Sequence, residues 1–188
     1  MKMCKKCCSA WRIDMIQDTV IYLIGFMGAG KSTVAKVLQQ KYGVQLVEMD
    51  ETIAAREEMP ITDIFATKGE AYFRQKETAL LEQAAAKGTV ISCGGGVAMR
   101  EENVRLMKEK GIIVLLRATP ETVLERVCNG TDRPLLNGNM NLEHITNLLE
   151  GRRPYYEQAA DICIDTDGKL PETIAQEIGE NLSKKNLH

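Results

Sequence analysis

The sequence predicts an α/β fold in three layers, a five-stranded parallel sheet with helices on both faces. Three observations predict it. Five short apolar runs alternate with helical stretches along the chain. The first run leads straight into a glycine-rich turn and an amphipathic helix, and turn residues punctuate the later junctions. Strands joined by helices in this alternation pair in parallel, and their ligands lie at the carboxyl edge of the sheet.

The first strand is Val20-Ile21-Tyr22-Leu23-Ile24, β-branched and apolar as a strand buried on both faces must be. GFMGAGKST follows, Gly25 to Thr33, and fits GxxxxGK[S/T] in full. Its glycines admit backbone angles that other residues resist. The N–H groups from Gly28 through Ala29, Gly30, Lys31, Ser32 and Thr33 can therefore curl around phosphate oxygens at the positive end of the next helix. Lys31 adds a cation for the β- and γ-phosphates, and Ser32 a hydroxyl for Mg²⁺. A nucleoside triphosphate is the expected ligand. A guanine-reading NKxD is absent, which argues against a GTPase; the one DxxG, Asp165 to Gly168, stands where a turn before the last helix is expected.

Residues 31–42 carry an apolar stripe at Val34, Val37 and Leu38 and read as a helix ended by Gly43. Residues 44–47 form a second strand, followed by the acidic tip Glu48-Met49-Asp50. A helical stretch over 51–87 is broken near Pro60 and Gly69 and closed by Gly88. Residues 89–93 form a third strand that runs into Gly94-Gly95-Gly96. A helix over 100–110 stops at Gly111, and residues 112–116 make a fourth strand. Thr119-Pro120 supplies a cap and a first-turn proline for a helix to about Cys128. Residues 129–141, NGTDRPLLNGNMN, have the composition of a mobile lid loop and contain Arg133. A helix over 142–160, a fifth strand over 162–164 and a helix over 171–182 complete the chain.

With 188 residues and ordinary composition, the chain suits one domain, and its net charge of −2 offers no bulk attraction to nucleic acid or anionic membrane. The longest apolar runs, 20–24 and 112–116, are far short of the roughly 20 residues that span a bilayer. The basic N-terminus lacks an apolar signal core, because Arg12, Asp14 and Asp18 interrupt it; a cytoplasmic location is expected. Cys4, Cys7 and Cys8 crowd this leader without a fourth metal ligand nearby. Residues 1–18 are therefore expected to be a disordered, reduced leader ahead of a domain over 19–188. Cys93, Cys128 and Cys163 fall in or beside apolar stretches and are expected to be small buried thiols, with no histidine beside any of them.

The strand-end rule brings the phosphate-binding loop, Glu48, Asp50 and the triple glycine to one cleft. Asp50 there can accept a substrate hydroxyl proton or orient it, or it can serve only the start of the following helix. The triple glycine can admit a ligand to the backbone or simply make a turn. Arg74, with Glu77 three residues on to brace it, can grip a carboxylate in two-pronged fashion or lie on the surface.

The assembled pattern resembles the shikimate kinase family from about Val20 to Asp165. The blocks that carry the resemblance are GFMGAGKST, ITDIFATKGEAYFRQKE after the acidic tip, GGGV, LLRATPETVLERV, DRPLL and EGRRPYYEQAAD, in that order. The resemblance implies a P-loop kinase fold with a substrate-binding helical region over about 50–87. It implies ATP-dependent phosphorylation of the 3-hydroxyl of shikimate on the route to chorismate and the aromatic amino acids, with Mg²⁺ as cofactor, and a monomer. By the same resemblance, Asp50 binds the substrate hydroxyls and orients the nucleophile, Arg74 and Arg152 hold the carboxylate, and Gly95 gives it a backbone donor. Arg152 is preferred to Arg153 because it stands two residues before Pro154. Arg133 meets the transferring phosphate, Arg126 lies along the adenine, and Ser32 and Glu48 serve the metal. The chain departs from the family where Glu48-Met49-Asp50 replaces Asp-x-Asp, where Pro154-Tyr155-Tyr156 replaces Pro-Leu-Tyr, and in its cysteine-rich leader. Two alternatives are another small-molecule or nucleotide kinase on the same scaffold and a non-catalytic ATP-binding module.

Overall fold

The computed structural model describes residues 15–84, 86–128 and 141–185. Most of the expected leader, the lid segment 129–140 and Arg133 lie outside the described residues.

Five parallel strands form one sheet in the order β2-β3-β1-β4-β5, where β1 is Val20–Ile24, β2 Gln45–Glu48, β3 Thr89–Ser92, β4 Ile112–Arg117 and β5 Ile162–Asp165. The helices between them are α1 (Lys31–Tyr42), α2 (Met49–Arg56), α3 (Ile61–Gln83), α4 (Glu101–Lys110), α5 (Pro120–Cys128), α6 (Leu142–Ala159) and α7 (Pro171–Lys185). Strand β1 is central, with Tyr22 opposite Ile91 on one side and Ile113 on the other. All five of its residues are buried, as its unbroken apolar run requires.

Alternation along β1 divides the core into two. Val20, Tyr22 and Ile24 face a cluster with α2 to α6, which includes Met49, Ile64, Phe73, Val123, Ile145 and Tyr156. Ile21 and Leu23 face the other cluster, with Val34 and Leu38 of α1 and Ile174 and Ile178 of α7. Leu23 is wholly buried, so Leu23→Ala removes both its transfer energy and its packing, at a cost of about 2–5 kcal/mol. Helices α1 and α7 thus cover one face and α2 to α6 the other, and the phosphate-binding loop reaches both, with Ala29 in the α1–α7 cluster and Phe26 in the α2–α6 cluster.

The packed fold starts earlier than residue 19. Ile16 is fully buried in the α1–α7 cluster, and Gln17 donates through Nε2 to the Tyr42 carbonyl at 2.9 Å. Residues 15–18 therefore belong to the domain, because Ile16 fills a gap beside Gly179. Two of the three thiols expected to be buried are exposed. Cys163 points outward from edge strand β5 and Cys128 ends α5, while Cys93 alone is buried. Burial and the nearby Glu77 carboxylate push the Cys93 thiol up, so it stays protonated and acts as packing.

Candidate active site

The glycine-rich loop turns at the carboxyl end of β1 as its sequence dictates. Gly28 and Gly30 have φ of 76° and 94°, angles that a side chain resists, and Gly30 is the residue from which α1 starts. Lys31 opens the helix and donates through Nζ to the Gly25 and Phe26 carbonyls at 2.9 and 3.0 Å. The loop thereby wraps one cation, while the first N–H groups of α1, which have no intrahelical acceptor, face outward for an anion. Arg126 on α5 braces the loop from the side. Its Nη1 donates to the Gly28 carbonyl at 3.1 Å and to Thr166 Oγ1 at 3.2 Å, and its Nη2 to the Thr166 carbonyl at 3.1 Å.

Ser32 and Glu48 come together as expected. Ser32 Oγ donates to Glu48 Oε2 at 3.0 Å, and Glu48 Oε1 is buried without a hydrogen-bond partner. Ser92 Oγ, at the end of β3, stands 3.4 Å from Ser32 Oγ. Two hydroxyls and a carboxylate with an unsatisfied oxygen make an all-oxygen donor set, the kind that Mg²⁺ uses alongside its own waters and phosphate oxygens. Among the described residues there is no cluster of three or more His, Cys, Asp or Glu that would form a protein cage for a metal. The sequence reading missed Ser92, although a hydroxyl at the carboxyl end of a strand, one residue before Cys93 and the glycines, was a usable signal.

The acceptor side is assembled over the triple glycine, and for a reason other than backbone freedom. None of Gly94, Gly95 and Gly96 has a positive φ. What they supply is space. A Cβ on Gly94 would lie 2.6 Å from Glu77 Oε1 and 2.9 Å from Asp50 Oδ1, and one on Gly96 would lie 2.4–2.6 Å from the Arg74 guanidinium. A Cβ on Gly95 would stand 3.8 Å from Arg152 Nη1 and 3.9 Å from both the Gly25 carbonyl oxygen and Met27 N. Gly95 therefore lies between the phosphate-binding loop and Arg152.

Side chains around these glycines hold one another. Arg74 donates through Nη1 to Glu77 Oε2 at 2.8 Å, and through Nε and Nη2 to Glu70 Oε1 at 3.2 and 2.8 Å. Glu77 is fully buried and its Oε1 has no hydrogen-bond partner; burial pushes its carboxyl up against the opposing pull of Arg74. The expected brace at i+3 is thus present, and Glu70 adds a second at i−4. The Arg152 guanidinium lies over the Phe26 ring at 5.7 Å, whereas Arg153 is exposed. Tyr156 OH donates to the Gly95 carbonyl, which ties α6 to the same turn. Asp50 sits in the first turn of α2 and is exposed, with Glu48 in the position preceding the helix. Arg100 and the buried pair Thr78 and Asn103 also join α3 to this region, and no sequence signal marked them.

The sequence model of the family described as shikimate kinase matches residues 27–183. A shikimate kinase of Dehalococcoides mccartyi is 44% identical over 163 residues, 86% of this chain and 92% of that protein. One from Persephonella marina is 48% identical over 160 residues, 84% of this chain and 95% of that protein. The solved structure of shikimate kinase from Acinetobacter baumannii in complex with shikimate superposes with a TM-score of 0.86 at 31% identity, covering 94% of this chain and 99% of that one. A P-loop packed against a glycine turn, with acceptor-side arginines seated on that turn, together with these similarities over nearly the whole chain, leads to one conclusion: the chain belongs to the shikimate kinase family.

Proposed function

We propose that the protein transfers the γ-phosphoryl group of ATP to the 3-hydroxyl of shikimate, giving shikimate 3-phosphate and ADP. The observation that carries this reading is the position of Gly95, with the phosphate-binding loop on one side and Arg152 on the other. That arrangement supports a phosphate chain bound beside a basic pocket suited to a carboxylate.

The chain's residues divide the work. The N–H groups of residues 28–33 hold the β- and γ-phosphates, and Lys31 exchanges its carbonyl partners for phosphate oxygens, where its charge offsets that of the transferring group. Arg126, hydrogen-bonded to Gly28 and Thr166, presents a guanidinium face to the adenine. On the acceptor side Arg74 and Arg152, with the backbone N–H of Gly95, take the substrate carboxylate; Asp50 accepts the hydrogen bond of the reacting hydroxyl and aims its oxygen at the γ-phosphorus. Arg133 belongs to the lid segment and meets the phosphoryl group on closure, which keeps water from taking it. Ser32, Glu48 and Ser92 would hold Mg²⁺, Ser32 directly and Glu48 through water, and the ion would supply positive charge against the β- and γ-phosphate oxygens. The protein acts as a monomer in the cytoplasm.

A turnover panel tests the reading. ATP is supplied with shikimate, with other hydroxylated acids such as gluconate, and with nucleoside monophosphates, and ADP and phosphorylated product are both quantified. Shikimate is expected to give ADP and product in equal amounts at a kcat/KM at least about a hundredfold above the rest, the scale on which a site built for specific polar groups discriminates. Preference for a nucleoside monophosphate, or ATP binding without any turnover, would overturn it.

A further inference from the structure

Helix α3 is two helices joined at Gly69. There φ is 81° and ψ 167°, far from helical values, and no atom lies within 4 Å of a Cβ placed on it, so the glycine is needed for its backbone angle alone. The break falls one residue before Glu70 and five before Arg74. The angle across Gly69 therefore bears on where the Arg74 guanidinium lies over Gly96, together with the packing of residues 73–81.

One carboxylate spans the break. Glu57, just after α2, accepts from Lys68 Nζ at 2.8 Å, Tyr72 OH at 2.6 Å and Lys76 Nζ at 2.7 Å. Lys68 is the last residue before Gly69, and Tyr72 and Lys76 belong to the half after it. Both ammonium groups also flank the Tyr72 ring, at 4.7 and 4.9 Å from its centre, and the Glu57 side chain is only 9% exposed. Three donors from both halves of a broken helix converge on one shielded acceptor. Core packing holds both halves as well, through buried Ile64 and Phe73 and the Phe65–Phe73 ring contact at 4.9 Å, and the Glu57 cluster is the polar tie across the same break.

We infer that Glu57 is a positioning residue for phosphoryl transfer: by tying Lys68 to Tyr72 and Lys76 across the break at Gly69, it sets the position of Arg74 for the acceptor carboxylate. The inference rests on the reading of Arg74 given above. Glu57 touches neither substrate, so its loss moves the apparent affinity for the acceptor and leaves that for the nucleotide alone.

Steady-state kinetics on Glu57→Gln, Lys68→Met, Lys76→Met, the double lysine variant and Arg74→Lys tests this, with both KM values measured for each. Glu57→Gln is expected to raise the KM for shikimate about threefold to tenfold, a typical size for a positioning effect, with the KM for ATP within about twofold of wild type. Lys68→Met is expected to show most of that rise, because Lys68 alone ties the first half; Lys76→Met is expected to show less, because Tyr72 still ties the second, and the double variant little more than Lys68→Met. Glu57→Asp, which keeps the charge, recovers part of the affinity. A merely structural role would lower thermal stability or active fraction and move neither KM; that result, or equal changes in both KM values, overturns the inference. If Arg74→Lys raises the KM for shikimate while Glu57→Gln does not, the inference alone fails. If Arg74→Lys leaves that KM unchanged, the reading of Arg74 fails, and the inference with it.

Discussion

The two halves of the site are built by opposite means. On the nucleotide side, a contiguous stretch from Gly25 to Thr33 shapes itself: its glycines hold positive φ, its lysine is wrapped by its own loop carbonyls, and the helix it opens faces the phosphates. On the acceptor side, side chains from α2, α3 and α6 meet over a turn whose glycines have ordinary angles and merely leave room. One half is shaped mainly by local backbone, with Arg126 as a remote brace, and the other by remote side chains. The comparison teaches that glycine does two distinct jobs within one active site. The geometry of the second half therefore depends on how several helices are held.

The largest expected effect tests the nucleotide half. Lys31→Ala removes the one charge the loop is built around, and kcat is expected to fall by about a hundredfold or more, the size seen when a preorganised electrostatic group is deleted. The fold should survive, which circular dichroism and a melting curve check, because Lys31 is only partly buried and packs no core. A folded variant with near wild-type kcat would break the comparison at its first term.

A pair of glycine substitutions sharpens it. At Gly30 an added Cβ meets its nearest neighbour only at 3.8 Å, but φ is 94°, so Gly30→Ala costs about 1–3 kcal/mol of backbone strain and is expected to raise the KM for ATP. At Gly96 the backbone is unstrained, with φ −99°, but the Cβ would strike the Arg74 guanidinium at 2.4–2.6 Å. Gly96→Ala is expected to displace that flexible group and raise the KM for shikimate by about tenfold, while the KM for ATP holds. Both variants losing ATP, or both losing shikimate, would show that the two glycines are not doing different jobs.

Smaller again is the effect at Glu48. If Glu48 serves the metal through water, as proposed, it tolerates Asp, and Glu48→Asp is expected to keep most of the activity. Glu48→Gln is expected to raise the Mg²⁺ needed for half-maximal rate and leave the KM for shikimate unchanged. A magnesium titration of the three versions decides it, since an unshifted curve for Glu48→Gln would remove this side chain from the metal's surroundings.

The smallest effect is on stability. Hydrogen bonds from Lys68, Lys76 and Tyr72 lower the Glu57 carboxyl from 4.5 to about 2. A carboxyl lowered in the folded state contributes stability that is complete above its unfolded value and is lost as pH falls through the folded one. Between about pH 4.5 and pH 2, wild type is therefore expected to lose slightly more stability than Glu57→Gln, read as the shift in urea midpoint. Equal losses would mean that the cluster does not hold its charge in the folded chain.

The same contrast governs what could be read from the sequence. The phosphate loop, its strand and its helix were legible because they are contiguous and each residue does one local job. Breaks near Pro60 and Gly69 were legible too, from residue type alone, as was the Glu77 brace, from helical spacing. Strand order was not, since five apolar runs look alike and only tertiary packing decides that β1 lies between β3 and β4. Asp50 and Arg74 were candidates from the strand-end rule and the Glu77 spacing, with alternatives left open, and Arg152 stood out only through resemblance, because no local pattern says that α2, α3 and α6 converge on one turn. Phe26 under Arg152, Tyr156 on Gly95 and the Glu57 cluster gave no signal at all; each matters through a partner remote in sequence. The leader boundary was misplaced by four residues because a lone Ile16 carries no period, yet it fills a specific gap in the core.

The central claim is that the two halves meet so that phosphate passes from one substrate to the other. Phosphorus-proton correlation spectroscopy on the reaction mixture tests it most directly. With ATP, Mg²⁺ and shikimate, one new phosphomonoester is expected, coupled to the proton on the carbon that bears the 3-hydroxyl and formed in equal amount to ADP. Inorganic phosphate as the sole phosphorus product besides ADP, or an ester on a different hydroxyl, would contradict the account.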